Sequence, residues 1–252
     1  MRFTKMQGLG NDYLYIYGQA PADAPALSRR LSDRHFGPGA DGIIFISPSD
    51  CADFRMRIFN ADGSEAEMCG NGIRCVGKYV YDRGLTDKTE LLIETGAGLR
   101  RLRLRPENGR VVSVTAEMGR AAVIPGTEGD LVDVGNPHLV RFVSDAEGAP
   151  LSTLGPALCA SVPGGINVEF VQVLGPDRLR MRVWERGSGI TLACGTGACA
   201  SAAAAVRRGL CKPMEPITVL LDGGALQITV GQQGELYMEG PAETVFEGEI
   251  EL

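Results

Sequence analysis

The sequence has few of the residues that bind metal ions or nucleic acids. Histidine occurs only at His35 and His138 in 252 residues, and no two cysteines have the Cys-x-x-Cys spacing, so no metal site is expected. Acidic residues outnumber basic ones by 31 to 25, which gives a net charge of −6 and argues against nucleic acid as a partner. These deficits favour a protein that acts on a small molecule without a metal.

Long apolar runs are also missing. A membrane-spanning helix needs about 20 apolar residues, whereas the longest candidate, residues 198–206, is shorter and mostly alanine. The first residues lead into glycine and asparagine without the apolar stretch of a secretion signal. Seven cysteines, an odd number, are typical of reduced thiols rather than of a disulfide framework. We therefore expect a cytoplasmic protein that has no membrane partner.

The chain contains instead a long internal repeat. The segment Cys69-Gly70-Asn71-Gly72 returns as Cys194-Gly195-Thr196-Gly197, residues 55–59 (RMRIF) return as 180–184 (RMRVW), and Gly10-Asn11 returns as Gly135-Asn136. The offset is 125 residues in each case (69 to 194, 55 to 180, 10 to 135), about half the chain. A period of this length indicates a duplicated domain rather than a solenoid, and we expect the two copies to face each other across a cleft.

Each copy has the same predicted elements. Residues 54–59 and 179–184 alternate as strands do, and a glycine-rich turn follows each of them. Residues 70–83 and 195–208 are then predicted to be helices, each ending with an arginine before a glycine. The remaining segments read as strands, with hairpin turns at Asn108-Gly109 and Gln233-Gly234. We predict an α/β (α+β) fold of two pseudo-symmetric domains, each a curved sheet around a central helix. The predicted domains are residues 1–118, with the strand 243–252 as a possible addition, and residues 119–242.

The two cysteines at the helix starts are the candidate catalytic residues. Unpaired backbone N–H groups and the helix dipole give each start a positive potential, which is expected to lower the pKa of Cys69 and Cys194 and to hold a carboxylate. Inversion of a stereocentre by proton transfer needs a base on one face of the carbon and an acid on the other. Two thiols in duplicated settings, one ionised and one protonated, would supply both. Cys75 and Cys199, further along the same helices, are predicted to be core residues.

Two further segments have the character of site residues. His138 follows the repeated Gly-Asn pair, and Glu185-Arg186 comes after a predicted strand just before a glycine-rich turn. A buried structural histidine and a surface ion pair are the simpler interpretations of these residues. Their places in the repeat make a site near Cys194, with Glu185 and Arg186 clamping the ammonium and carboxylate groups of a substrate, an alternative to test.

The blocks MCGNGIRC at residues 68–75, VGNPH at 134–138 and ERGSG at 185–189, with ACGTGA at 193–198, together resemble diaminopimelate epimerases. The opening FTKMQGLGND at residues 3–12 is similar too, so the resemblance spans nearly the whole chain. It implies interconversion of LL- and meso-2,6-diaminoheptanedioate for lysine and peptidoglycan precursor synthesis, without pyridoxal phosphate or any other cofactor. It also implies a homodimer.

The resemblance further assigns roles to individual residues. Cys69 and Cys194 are implied as the catalytic pair, and His138 and Glu185 as groups that tune the thiol pKa. The residues implied to hold the substrate are Asn11, Asn60, Gly70, Asn71, Asn136, Asn167, Glu185, Arg186, Gly195 and Thr196.

Two positions depart from the family, and two other functions stay open at this stage. Ile190 stands where many members have a glutamate, which matters less because neighbouring residues are those implied to bind the substrate. Gly42 stands where some members carry a glutamine that touches substrate, which leaves that contact in doubt. A proline-type racemase would share the Cys-Gly-x-Gly motif, although Arg186 and the asparagines favour a longer substrate with a second charged end. A redox protein with a switch disulfide between Cys69 and Cys194 is the alternative from another class.

Overall fold

The computed structural model describes residues 1–251 and contains four helices within them. The helices are α1 (Ala24–Ser32), α2 (Gly70–Asp82), α3 (Leu151–Ala160) and α4 (Gly195–Arg207). The strands are β1 (Arg2–Gly8), β2 (Asn11–Tyr17), β3 (Gly42–Ser47), β4 (Phe54–Asn60), β5 (Glu65–Ala66), β6 (Glu90–Thr95), β7 (Gly98–Glu107), β8 (Arg110–Arg120), β9 (Ala122–Ile124), β10 (Asp130–Asp133), β11 (Pro137–Phe142), β12 (Asn167–Gly175), β13 (Arg178–Glu185), β14 (Gly189–Ile190), β15 (Pro216–Leu221), β16 (Gly224–Val230), β17 (Glu235–Gly240) and β18 (Glu243–Glu249).

The predicted repeat elements are confirmed to within a residue or two. Helices α2 and α4 both begin directly after a cysteine, and Arg83 and Arg208 form their C-caps. The strands predicted before these helices are β4 and β13. At the first predicted hairpin, Asn108 and Gly109 have φ angles of 50° and 75°, as a tight two-residue turn requires.

The chain divides into two compact units. The first comprises Met1–Ala116 together with the C-terminal segment from Gly240, and the second comprises Glu117–Glu239. In the first unit β1 lies antiparallel between β18 and β2, β2 runs parallel to β3, and β3 is antiparallel to β4. The ladder continues through β6, β7 and β8. Helix α2 packs against β1, β2 and β7, so the sheet curves around this helix.

The second unit repeats this order of pairings. Strand β10 lies antiparallel between β9 and β11, β11 runs parallel to β12, and β12 is antiparallel to β13. The ladder then continues through β15, β16 and β17. Helix α4 contacts strands from β9 to β16 and is therefore surrounded by the sheet. Each unit is thus a curved sheet around one central helix, as the sequence predicts.

The two central helices are packed with side chains of different size. Helix α2 buries Ile73, Arg74, Val76 and Tyr79, whereas the buried side chains of α4 are almost all alanine, with Cys199 and Ser201 among them. Cys75 and Cys199 are fully buried, as predicted for core residues. Among the helices of residues 1–251, none is both long and apolar enough to cross a membrane.

Candidate active site

In the first unit, Cys69 caps the start of α2. Its backbone is extended (φ −139°, ψ 115°), and its sulfur accepts a hydrogen bond from Gly72 N at 3.3 Å. The backbone of Asn71 also interacts favourably with the thiolate form. The glycine at position 72 lets the helix start pack closely, because a Cβ there would lie 2.8 Å from Ile44 Cδ1 and 3.4 Å from Cys69 Cβ. The Cys-Gly-x-Gly motif therefore places a thiol directly on the helix start.

A fixed amide accompanies this thiol. Asn11 Nδ2 donates to Asp41 Oδ2 at 2.8 Å, which turns Asn11 Oδ1 toward Cys69, whose thiol donates to it at 3.3 Å. Asp41 is itself held by Arg34, which lies 2.9 Å away. The hydroxyl of Tyr13 also hydrogen-bonds the Cys69 thiol, and burial together with that neighbour raises the pKa of Tyr13.

Gly42 and Asn60 lie on the adjacent strands β3 and β4. Asn60 Nδ2 donates to Ser64 Oγ at 3.0 Å. Asn60 pairs with Gly42 across β3 and β4. A Cβ at position 42 would lie 2.2 Å from Phe59 O and 2.9 Å from the Tyr13 ring. Position 42 therefore has no room for a glutamine on this backbone, and the Tyr13 ring lies against the place where a side chain would begin.

In the second unit, Cys194 caps α4 in the same way. Its backbone is extended (φ −117°, ψ 110°), and its sulfur accepts from Gly197 N at 3.4 Å. Thr196 Oγ1 lies 3.4 Å from the sulfur, and Asn136 Nδ2 donates to Thr196 Oγ1 at 3.5 Å. The sequence-predicted residues Asn136, Gly195 and Thr196 are thus brought together around Cys194 through the helix start.

Glu185 and Arg186 point to different surroundings. The half-buried Glu185 carboxylate accepts a hydrogen bond from the Thr191 hydroxyl and interacts with the Cys194 thiol. Burial raises the pKa of Glu185, and the nearby Glu169 carboxylate adds to that rise. The exposed Arg186 side chain donates from Nη1 to Gly164 O at 3.1 Å, while its backbone N–H donates to Asn167 Oδ1 at 2.9 Å. Asn167 and Arg186 are therefore linked to each other beside Glu185.

His138 is fully buried and forms a pair that the sequence analysis missed. Its Nδ1 lies 2.6 Å from Glu169 Oε1, and both side chains have no exposed surface. Its Nε2 lies 3.1 Å from Asn136 Oδ1. The repeat offset contained a signal for this pair, because it aligns Tyr13 with His138 and Ile44 with Glu169. At these aligned positions the two copies have different residues beside their thiols.

The predicted lowering of the thiol pKa was wrong. Burial raises the pKa of Cys69, although the Gly72 N–H, the Tyr13 hydroxyl and the positive charge of Arg74 oppose the rise. Burial raises the pKa of Cys194 well above its ordinary value, and the Glu185 and Glu169 carboxylates raise it further. The N–H groups of a helix start stabilise a thiolate, but removal from water destabilises it more.

The site residues described above do not form a cluster suited to a metal ion. Across residues 1–251, no group of three or more histidine, cysteine, aspartate or glutamate side chains is arranged to hold one. All seven cysteines are free thiols.

Solved structures with the same architecture define the class of protein to which this fold belongs. The phenazine biosynthesis protein of the PhzF family from Bacillus anthracis matches with a TM-score of 0.80 at 16% identity, over 100% of this chain and 99% of that one. The hydroxyproline epimerase from Agrobacterium vitis, with bound trans-4-OH-L-proline, matches with a TM-score of 0.71 at 17% identity, over 99% and 90%. The chain therefore has the fold shared by the PhzF proteins and the amino-acid epimerases.

The particular family follows from the sequence comparisons. The family model for diaminopimelate epimerase matches residues 3–124 and 131–245, and the chain belongs to this family. A diaminopimelate epimerase from Parabacteroides distasonis is 50% identical, with 100% of this chain and 98% of the relative covered. One from Methanococcus maripaludis strain C5 is 47% identical, with both chains covered completely. The predicted resemblance is confirmed, whereas a probable proline racemase shares only the fold, at 16% identity.

Proposed function

We propose that this protein interconverts LL- and meso-2,6-diaminoheptanedioate by a two-base proton transfer between Cys69 and Cys194, in the synthesis of lysine and peptidoglycan precursors. The observation that carries the proposal is the duplicated helix start. Each copy places a thiol on the first N–H groups of a buried helix, 3.3 Å from Gly72 N and 3.4 Å from Gly197 N. Membership of the diaminopimelate epimerase family supports the substrate.

The chemistry needs one thiolate and one thiol on opposite faces of the α-carbon. The thiolate removes the α-hydrogen as a proton, the electron pair stays on the substrate as a carbanion, and the other thiol returns a proton to the opposite face. The reverse reaction exchanges the two roles, so the two titrations are coupled and belong to the pair. Negative charge builds on the substrate carboxylate during the transfer, and each oriented N–H donor at such a site contributes about 3–4 kcal/mol.

The raised thiol pKa values are compatible with this chemistry. The α-hydrogen of an amino acid is a weak acid, and a more basic thiolate removes it more readily once the thiolate has formed. The burial that raises both pKa values also excludes water, which would otherwise compete for the developing charge. The donors around each sulfur then offset the cost of ionisation at the moment of transfer.

The remaining predicted residues are proposed to bind the two ends of the substrate. Asn11 and Asn71 lie beside Cys69, whereas Asn136 and Thr196 lie beside Cys194. Asn60, Asn167, Glu185 and Arg186 are proposed to take the distal ammonium and carboxylate. A cytoplasmic location and a homodimer are also proposed, the first because all seven cysteines are free thiols; size-exclusion chromatography with light scattering tests the second.

A proton-exchange assay in deuterated water tests the proposed reaction. With LL-2,6-diaminoheptanedioate we expect loss of the α-proton NMR signal together with appearance of the meso isomer. Proline and trans-4-hydroxyproline serve as the controls for the related racemase chemistry and should keep their α-protons. Exchange with either control and none with diaminoheptanedioate would reject the proposed substrate.

Arg186→Lys tests recognition of the distal carboxylate. Arginine grips a carboxylate with two parallel N–H donors, which a lysine ammonium does not reproduce. We expect kcat/KM to fall by about 10- to 100-fold, on the scale of a lost charge-assisted pair. Lys78→Arg, an exchange of the same two residue types in the first unit, is the matched control. Unchanged kinetics in Arg186→Lys would remove Arg186 from the site.

A further inference from the structure

Glu169 is a buried carboxylate to which the two-cysteine reaction assigns no role. The side chain has no exposed surface, and its one short contact joins Oε1 to His138 Nδ1 at 2.6 Å. Its second oxygen, Oε2, is buried without a hydrogen-bond partner. Burying a carboxylate with half of its acceptors unused is costly. Such a group is rarely retained for stability alone, since a buried pair seldom stabilises more than apolar residues of similar volume.

The position of Glu169 ties it to the catalytic helix start. A Cβ placed on Gly197 would lie 2.8 Å from Glu169 Oε1 and 3.3 Å from Cys194 Sγ. The carboxylate thus lies directly beneath the first turn of α4, where the helix dipole favours negative charge. In the first unit the same place is taken by Ile44, whose Cδ1 lies 2.8 Å from a Cβ on Gly72. The fold therefore does not require a carboxylate at this place.

A chain of polar contacts leads from Glu169 to Cys194. His138 Nε2 lies 3.1 Å from Asn136 Oδ1, Asn136 Nδ2 donates to Thr196 Oγ1 at 3.5 Å, and Thr196 Oγ1 lies 3.4 Å from Cys194 Sγ. The direction of this chain depends on the histidine. An amide oxygen only accepts, so the observed orientation of Asn136 requires a proton on His138 Nε2. The Thr196 oxygen then accepts from the amide, and its own hydrogen is left to point at the sulfur.

We propose that Glu169 is a positioning residue for the epimerisation, which holds a proton on His138 Nδ1 so that Nε2–H, Asn136 and Thr196 all donate in the direction of Cys194. The inference rests on the proposed function only in taking Cys194 as one of the two acid/base groups. With both nitrogens protonated, the imidazolium charge opposes the two carboxylates beside the thiol and supports its ionised form. The ionised Glu169 and the protonated His138 together carry no net charge. The pair therefore directs the donors toward Cys194 without adding net negative charge beside it.

The groups that face His138 define the competing explanation. Glu169 faces it from β12 and Glu185 from β13, and both carboxylates also act on Cys194 at the start of α4. Acting only as a charge, Glu169 raises the pKa of Cys194. Its removal by Glu169→Gln would then lower that pKa, and the pH profile of kcat would move to lower pH with an unchanged plateau. A positioning role predicts the opposite, a lower plateau.

Nitrogen NMR of the imidazole rings reads the positioning directly. The chain has two histidines, so 15N-histidine labelling gives two rings, with His35 as the internal reference. In the parent enzyme without substrate we expect His138 Nδ1 to carry a proton, because it lies 2.6 Å from Glu169 Oε1. In Glu169→Gln we expect the fraction of molecules with a protonated Nδ1 to fall, because a neutral amide does not stabilise the imidazolium. His35 should be unchanged.

Kinetics of matched variants complete the test. For Glu169→Gln we expect kcat to fall roughly 10²-fold with KM nearly unchanged, and for Glu169→Asp, which keeps the charge, partial recovery of both activity and the His138 signal. Asp130→Asn is the control, because Asp130 is an equally buried carboxylate that pairs with Arg208 at the other end of α4. It should lower Tm and leave kcat and the His138 ring unchanged.

Three results would overturn the proposal. The first is a parent His138 whose Nδ1 carries no proton, a result that needs no variant and stands even where Glu169→Gln fails to fold. The second is a loss of kcat in Glu169→Gln with an unaltered His138 ring, which would make Glu169 a structural residue. The third is a pH profile of kcat in Glu169→Gln that moves to lower pH with an unchanged plateau. The NMR result does not depend on the proposed function, whereas the two kinetic results do; the proposed function itself fails separately if Cys194→Ala still epimerises diaminoheptanedioate.

Discussion

The starts of α2 and α4 have the same backbone and different neighbours. Both present a thiol, an extended N-cap and an N–H three residues later. In the first copy the repeat has Tyr13, Ile44 and Asn60 at three aligned positions. Around Cys194 it places His138, Glu169 and Glu185 at the corresponding positions. The first set contributes no carboxylate, whereas the second contributes two. Burial, together with the Glu185 and Glu169 carboxylates, raises the pKa of Cys194 well above its ordinary value.

This difference indicates how a duplicated domain divides one reaction. The helix start is common to both copies, and in the proposed reaction either face of the carbon needs a sulfur and a set of N–H donors. The titratable groups are concentrated in the second copy, while the positive charge of Arg74 lies near the thiol of the first. The two thiols are therefore chemically unequal before substrate binds, and the first is the easier of the two to ionise.

Among the variants that compare the two helix starts, removal of either thiol should have the largest effect on activity. Cys69→Ala and Cys194→Ala should each reduce epimerisation by about 10³-fold or more, and the double variant should be hardly worse, because acid and base act as one unit. Turnover and α-deuterium incorporation in deuterated water measure this. Near-normal turnover in either single variant would mean that only one of the two helix starts is catalytic.

An added methyl group at each helix start should separate the two copies. In Gly197→Ala the new Cβ meets Glu169 Oε1, which is fixed by His138, whereas in Gly72→Ala it meets the apolar end of the Ile44 side chain, which no hydrogen bond holds in place. We expect kcat to fall on the order of 10²-fold for Gly197→Ala and only a few-fold for Gly72→Ala, given the usual worth of an acid/base group. Equal losses would show that crowding of the helix start, and not the carboxylate, sets the cost.

Gly42 in the first copy corresponds to Asn167 in the second, and only the second has space for a side chain there. Gly42→Gln should therefore destabilise the first copy. The new Cβ would lie 2.2 Å from the carbonyl oxygen of Phe59, which belongs to a strand and cannot move away easily. We expect a loss of about 2–4 kcal/mol in the free energy of unfolding, at or above the upper end of overpacking costs. Urea unfolding measures this, with Asn167→Gln as the matched variant in the second copy. A loss below 1 kcal/mol, taking that as roughly the lower end of overpacking costs, would show that β4 yields.

The smallest expected effects are opposite pH dependences of stability. Lys5 and Arg34 lower the pKa of Asp12 against the effect of its burial. Its ionised form therefore stabilises the fold at neutral pH, and that contribution disappears as the pH falls through the lowered pKa. Asp12→Asn should cost about 2 kcal/mol at pH 7, as expected for a lost charged hydrogen bond. It should cost almost nothing in strong acid.

Glu185 should behave in the opposite sense. Its folded-state pKa is raised, so its ionised form destabilises the fold above that pKa, and protonation removes the penalty as the pH falls. Glu185→Gln should therefore stabilise the fold at pH 7, by on the order of 1 kcal/mol for a buried polar group, and the gain should disappear below the ordinary pKa of glutamate. Thermal unfolding of both variants across pH checks the signs; a pH-independent effect in either would contradict it.

Local signals explain what the sequence analysis predicted correctly. Helices α2 and α4 have marked starts and ends, with Cys-Gly-x-Gly before them and an Arg-Gly pair after them. Helices α1 and α3 were not predicted. Pro156 and Gly155 interrupt the pattern of α3, and this helix is held by packing of Leu151 and Leu158 on the sheet rather than by its own propensity.

Non-local contacts explain what was missed in the candidate site. Glu169 meets His138 because β11 and β12 run in parallel and the register pairs His138 with Asn167, two residues before Glu169. The direction of the thiol pKa was predicted wrongly for the same reason. A helix start is visible in sequence, whereas the depth at which it is buried is set by strands elsewhere in the chain.

The alanine packing of α4 has a consequence for precision. Alanine has no side-chain rotamers, so the distance between this helix and its surrounding strands is set mainly by backbone and methyl groups, apart from Cys199 and Ser201. Around α2, by contrast, Ile73, Val76 and Tyr79 have alternative conformations through which the core can accommodate disturbance. Rotamer changes in the buried alanines of α4 therefore cannot shift the sulfur at the start of this helix. These alanine positions tolerate little substitution, because each added methylene must displace a strand.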